Sequence, residues 1–426
     1  MLWIYKGIRH GRRLACAAVL VAMAASVSAG AAGLGLRDAE ELALNADPGI
    51  QSVKANRSAL EEMAVAARQL PDPMLKIGLM SLPTDSFRLD QEPMTQAQLG
   101  LVQKFPRGQS RSLRSEQISL RSEVLDESVR VQTLQIILAV REQFLEVAKQ
   151  QHLANINAAA LVVFSDLVDI TLDYYATGRV QQQDVLQASV ELAKVQDRAT
   201  RIAQAQEQAR AKLATWIGAA AYEDIQTQWP QLRIPVPMDV MKDNLRRHPR
   251  ILAAQKNVSV ADAGAELARQ NYKPEFSLDL TYGGRAGTNP DGSSRADMLS
   301  LMLVMDLPLF RNNRQDRVLA AQIAETSAAM FSLDDVYRRM RSEIEFNFAM
   351  FQRQKERVEL FENTLLPAAA SSSEATFEAF QSALEDMSTL LRARITEFDL
   401  QLEHAGLHAG VLVSQARLLY LEGEQK

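Results

Sequence analysis

From Met298 the chain places Leu299, Leu301, Leu303, Met305 and Leu307 on one side of an extended strand, and Met298, Ser300, Met302, Val304 and Asp306 on the other. Pro308 ends the run. Phe276, Leu278, Leu280 and Tyr282 alternate in the same way with Ser277, Asp279 and Thr281. The pattern predicts strands over 276–283 and 298–307, around the turn-rich loop GGRAGTNPDGSSRAD, and an earlier pair over 74–82 and 96–105, around PTDSFRLDQEPMT.

The rest reads as helix. Residues 110–176 contain no proline and no glycine, which at 1.5 Å per residue allows roughly 100 Å of unbroken helix. Ile137, Val140, Phe144, Val147 and Ala148 recur at helical spacing, and Leu134, Leu138 and Leu145 widen the stripe. Partner helices follow over about 181–217, 312–382 and 385–421. Helices this long must pack lengthwise against neighbours, as in coiled coils and helical barrels.

The chain repeats one plan. Asp47-Pro48-Gly49-Ile50 returns as His248-Pro249-Arg250-Ile251, and Ala67-Arg68-Gln69 as Ala268-Arg269-Gln270, both at an offset of 201. Phe105-Pro106 returns as Leu307-Pro308 at 202. The expected division is a signal peptide over 1–29, a first repeat over 30–218, a linker over 219–237 and a second repeat over 238–426.

Composition sharpens this picture. The chain has 426 residues, 47% hydrophobic and 23% charged, with only 19 glycines and 14 prolines, so elements should be long and turns few. Lys6, Arg9, Arg12 and Arg13 precede the apolar stretch Leu14 to Ala25 and the small-residue site Val27-Ser28-Ala29, the layout of a secretory signal cleaved near Ala29. The only cysteine, Cys16, precedes most of that stretch instead of following it, so the mature chain should be cysteine-free and without a lipid anchor. Losing the four cations takes the formal net charge from −5 to −9, which argues against nucleic acid as a partner.

Strands with one apolar and one polar face suit both a soluble half-buried sheet and an outer-membrane barrel. Export and long loops favour the barrel. Four strands cannot close one, and open edges are not tolerated in lipid, so several chains must contribute.

Four stretches then carry a family resemblance: LPDPMLKIGLMSLP (70–83), QKFPRGQSR (103–111), YATGRVQQQDVLQA (175–188) and LPLFRNNRQDR (307–317). With the duplicated order, the chain resembles the TolC-like outer-membrane efflux proteins over nearly all of its mature length. The first and last stretches look most like the outer-membrane subunits of heavy-metal exporters of the resistance-nodulation-division class. The resemblance implies a mainly α fold with transmembrane β: a homotrimer whose long-helix hairpins form a periplasmic α-barrel, with four strands per chain in a 12-stranded outer-membrane β-barrel. It also implies that the linker at 219–237 and the C-terminal residues form an equatorial region. The implied function is the exit duct of a tripartite efflux system, with outer-membrane lipid, a periplasmic adaptor and an inner-membrane pump as partners and heavy-metal cations as cargo. A multidrug or type I secretion duct of the same fold is the alternative, and a periplasmic coiled-coil structural or adaptor protein the alternative of another class.

By resemblance the helix-to-helix turns dock the adaptor, at Thr177, Gly178 and Arg179 and at Ser382, Ala383 and Leu384. Gly178 sits where a chain reversal needs positive φ, and Ala383 replaces that glycine at an offset of 205. Asp184, Glu385 and Asp386 are the candidate periplasmic gate, because threefold symmetry turns an inward acid into a ring. Some family members carry aspartates at the positions of Thr389 and Arg392, and this chain departs from that pattern. His404 and His408 have the i, i+4 spacing of a helical metal clamp, but EHAGLH lacks the internal acid of H-E-x-x-H. Met298 and Met302 read as packing methionines. No metal site, cofactor or catalytic constellation is expected, and the reading is not an enzyme.

Overall fold

A computed structural model describes residues 33–226 and 228–423. The signal segment with Cys16 and the last three residues lie outside it. Helices α1 (Leu36–Ala46) and α2 (Pro48–Arg68) lead into strands β1 (Met74–Met80) and β2 (Gln96–Phe105). Helix α3 (Ser110–Ala176) runs unbroken for 67 residues and turns into α4 (Gln182–Ile217). After the short α5 (Met238–Asn244), the plan recurs with α6 (Pro249–Arg269), β3 (Phe276–Gly284), β4 (Met298–Met305) and α7 (Gln315–Leu360). A π-turn (Phe361–Leu365) separates α7 from α8 (Leu366–Gln381), and α9 (Met387–Glu422) closes the second hairpin.

Capping explains several boundaries. Asp47 starts α2 by accepting the Ile50 N–H at 2.7 Å, with Pro48 in the first turn, where its missing N–H costs nothing. His248 starts α6, its Nδ1 accepting the Arg250 N–H at 3.2 Å ahead of Pro249. The strand 74–82 stops at Met80, because Ser81 takes φ 54° and leaves the extended region. The strand 298–307 stops at Met305, where the Asp306 N–H turns to the Glu275 carbonyl. The π-turn, absent from the sequence reading, has a cause in Pro367. Proline cannot donate to the carbonyl four residues back and crowds it, and one extra residue in the turn relieves the conflict.

Two spatial units cut across the two repeats. Among the described residues, one comprises 33–46, 139–226, 228–232 and 353–413, the other 47–138, 233–352 and 414–423. Inside the first, Phe164, Leu167, Ala188, Met387, Leu390 and Phe398 form a core between the two hairpins. Inside the second, Leu134, Met241, Leu245, Ile251, Met340 and Ile344 do the same around α5 and α6. The stripe read from α3 is buried as expected, with Val140, Leu145 and Val147 fully enclosed.

Candidate functional site: the sheet and the hairpin turns

The four strands form one antiparallel sheet in chain order, β1-β2-β3-β4. Its register aligns Leu75, Leu101, Leu280 and Leu301 in one row, and Ile77, Leu99, Tyr282 and Leu299 in the next. All eight project from the same face, since strand neighbours alternate, and that face is bare: Ile77 is 74% exposed and Leu299 72%. The other face aligns Lys76, Gly100, Thr281 and Ser300. There Lys76 reaches across β2 to pair with Asp279 at 3.2 Å, and Thr281 donates to the same aspartate at 2.6 Å. Among the described residues, the outer edges of β1 and β4 have no strand beside them. A sheet with one bare apolar face, one wet face and two unpaired edges is built to sit in lipid and to continue into other strands. The loop 285–297 is hydrogen-bonded, with the Asn289 N–H on Ser293 at 2.8 Å, and Arg295 donates to the Asp90 and Glu92 carbonyls of the other loop at 3.2 and 3.1 Å.

The first hairpin reverses at Thr177, Gly178 and Arg179. Gly178 takes φ 73°, its N–H bonds Tyr175 at 3.0 Å, and the Arg179 N–H reaches back to Tyr174 at 2.8 Å, the 6→1 and 5→2 pair of a Schellman turn. At the second reversal Ala383 takes φ 57°, its N–H bonds Phe380 at 3.0 Å, and the Leu384 N–H reaches Ala379 at 2.9 Å. Ser382 caps the preceding helix through Glu378 at 3.1 Å. The turns share a cleft lined by Tyr174, Arg179, Phe380, Leu384 and Asp386, in which the Arg179 guanidinium covers the Tyr174 ring at 4.4 Å and Tyr174 stacks on Phe380 at 5.6 Å. Leu384 projects from it, 80% exposed.

The candidate gate acids have local work. Asp184 accepts the Gln181 N–H at 2.8 Å, closing the start of α4. Asp386 caps α9 by accepting from the Thr389 N–H at 2.7 Å and the Ser388 hydroxyl at 2.9 Å. These hydrogen bonds, the Thr389 backbone first, hold its carboxyl below the usual carboxylate range. Glu385 stands exposed beside it.

His404 and His408 lie one turn apart on α9. The His404 Nε2 sits 3.2 Å from Glu362 Oε1, and the His408 ring stacks on Trp229 at 5.0 Å. Sequence spacing could not supply Glu362, which comes from the π-turn 42 residues earlier.

Residues 240–424 match the family described as outer membrane efflux protein. No curated protein matches the sequence. Among solved structures, the chain is similar to a membrane protein from Pseudomonas aeruginosa, with 15% identity over 92% of this chain and 90% of that one and a TM-score of 0.79. It is similar to the outer membrane protein VceC from Vibrio cholerae, with 18% identity, 91% and 96% coverage and a TM-score of 0.77. A third similar structure is CusC, described as forming a transmembrane channel, with 13% identity, 93% and 95% coverage and a TM-score of 0.76.

Proposed function

We propose that this chain, whose residues 240–424 match the outer membrane efflux protein family and whose fold is that of the TolC-like channels, is the exit duct through which a tripartite exporter releases heavy-metal cations. It is an outer-membrane channel and not an enzyme, with its long helices in the periplasm.

The observation that carries the duct is the sheet. Its bare leucine face suits lipid, its Lys76–Asp279 face suits water, and its two open edges call for other chains. Three copies joined edge to edge give twelve strands, an even number in the range of bacterial barrels. Helix α3 agrees with assembly: it holds a window apolar enough to cross a membrane by length and composition, yet only 22% of that window is buried within one chain. In a trimer of hairpins, neighbouring helices would cover it.

The cleft between the turns is the surface for the adaptor, with Arg179 and Leu384 as its charged and apolar contacts. Glu385 and Asp386 would ring the periplasmic mouth. Heavy metal as cargo is supported by the segments 70–83 and 307–317, which resemble metal exporters. A wide duct need not bind its cargo, because the pump selects it.

Two measurements test this reading. In mild detergent the mature protein is expected to run as a trimer recovered from outer membranes, and a water-soluble monomer would overturn the duct. Deleting the gene is expected to sensitise cells to a transition metal such as zinc, cobalt, cadmium, copper or silver. Sensitivity confined to drugs or dyes would keep the duct and move its cargo.

A further inference from the structure

We propose that Glu362, His404 and His408 form a binding site for a divalent cation of the zinc class, which clips the π-turn between α7 and α8 to α9. One ligand atom from each residue lies within 4.8 Å of the other two. Bond lengths of about 2.0–2.1 Å place the ligands of a tetrahedral zinc roughly 3.3 Å apart. The His404 Nε2 to Glu362 Oε1 distance of 3.2 Å already matches one edge of that tetrahedron. Rotation of the His408 and Glu362 side chains would close the remaining edges.

Two imidazoles and one carboxylate are a donor set suited to zinc and its neighbours, with the fourth position left to water. The surroundings hold the rings and leave a way in. Trp229 stacks on His408 at 5.0 Å and on His152 at 4.2 Å, so its indole lies between two histidines. The buried Phe361 ring packs along His404 at 6.4 Å and closes one side. The Glu362 side chain is 50% exposed and opens the other. Arg357, the nearest guanidinium along the helix, is turned to Glu403 at 2.6 Å. Glu362 also belongs to the π-turn, a local geometry that recurs at functional sites.

A surface ion pair between His404 and Glu362 would give the same 3.2 Å contact, so the test must read metal. The site is independent of the cargo, and the measurement uses purified, untagged mature protein in detergent without transport. Zinc is titrated in competition with a chromophoric chelator, and cobalt is followed by its visible spectrum. Expected are one tight equivalent per chain, tetrahedral cobalt bands, and quenching of Trp229 fluorescence by cobalt or copper. His404→Ala with His408→Ala should weaken zinc at least about 100-fold, and Glu362→Gln at least about tenfold, as loss of direct ligands should exceed the 10–100-fold effects of outer-shell changes. Trp229→Phe should keep the equivalent and lose the fluorescence change. Should the double variant misfold, Glu362→Gln alone decides. Zinc held no more tightly than by the double variant, or an affinity unchanged in Glu362→Gln, overturns the site.

Discussion

The two repeats reach the same order of elements by different side chains. Helices α2 and α6 are each 21 residues, and α4 and α9 each 36. Both of the longer helices end at a glycine with positive φ, Gly218 at 62° and Gly423 at 77°. The caps differ. Asp47 starts one 21-residue helix and buried His248 the other. At the reversals Gly178 faces Ala383, and the acid closing the next helix moves from the third position, Asp184, to the cap itself, Asp386. Helix α3 is continuous, whereas its counterpart is broken by Pro367 and the π-turn. A duplicated fold thus keeps the backbone demand at each landmark and lets the chemistry that meets it drift. The drift gathers in the second repeat, which holds the buried histidine cap, the strained turn and the Glu362, His404 and His408 cluster.

The largest effect expected from breaking this symmetry is at the first reversal. Among the described residues, nothing beyond its chain neighbours lies within 4 Å of where a Gly178 Cβ would sit, so the obstacle there is the backbone, because φ 73° is hard for a β-branched residue. Gly178→Val should abolish export while the trimer and barrel persist. Undiminished export at normal expression would remove this turn from docking.

The caps come next. Burial holds the His248 imidazole well below its usual value, to about 4, helped by the Arg250 charge and opposed by the hydrogen bond to the Tyr420 carbonyl at 3.1 Å. The folded state therefore resists a proton that the unfolded chain takes up near 6.5. The stability due to neutral His248 is complete above that pH and is lost as pH falls from 6.5 toward 4. A shift of this size is worth at most about 3 kcal/mol. His248→Asn keeps a capping acceptor without the titration, so its unfolding midpoint in denaturant should flatten between pH 6.5 and 4 relative to the parent. Parallel profiles would assign the acid sensitivity elsewhere.

The smallest effect sharpens the comparison of the turns. Ala383 at φ 57° carries the strain that Gly178 avoids. Ala383→Gly should therefore stabilise the chain by about 1 kcal/mol and Gly178→Ala destabilise it by a similar amount. Equal signs in thermal melts would mean that the turns are not equivalent.

Much of this was legible in the residue order because its causes are local. Alternation gave the strands and their exposed leucine face, the run without glycine or proline gave α3, and Gly178 marked the reversal, since each depends on neighbours a few positions away. Ala383 was harder to read, because alanine carries no signal for positive φ and takes it only where the flanking helices impose the turn. Pro367 lies inside the span read as one helix over 312–382, and the π-turn that absorbs it was not legible there.

The sequence by itself therefore determined the elements, their duplication and the faces of the strands, all set by backbone preference and by the periods of 2 and 3.6. Only the tertiary structure decided which distant groups meet: Lys76 with Asp279 across the sheet register, Glu362 with His404 across a hairpin, and two units that each draw on both repeats. Those meetings depend on where long helices and strands end after many turns, and a shift of one residue, as at the π-turn, rotates a side chain by about 100°.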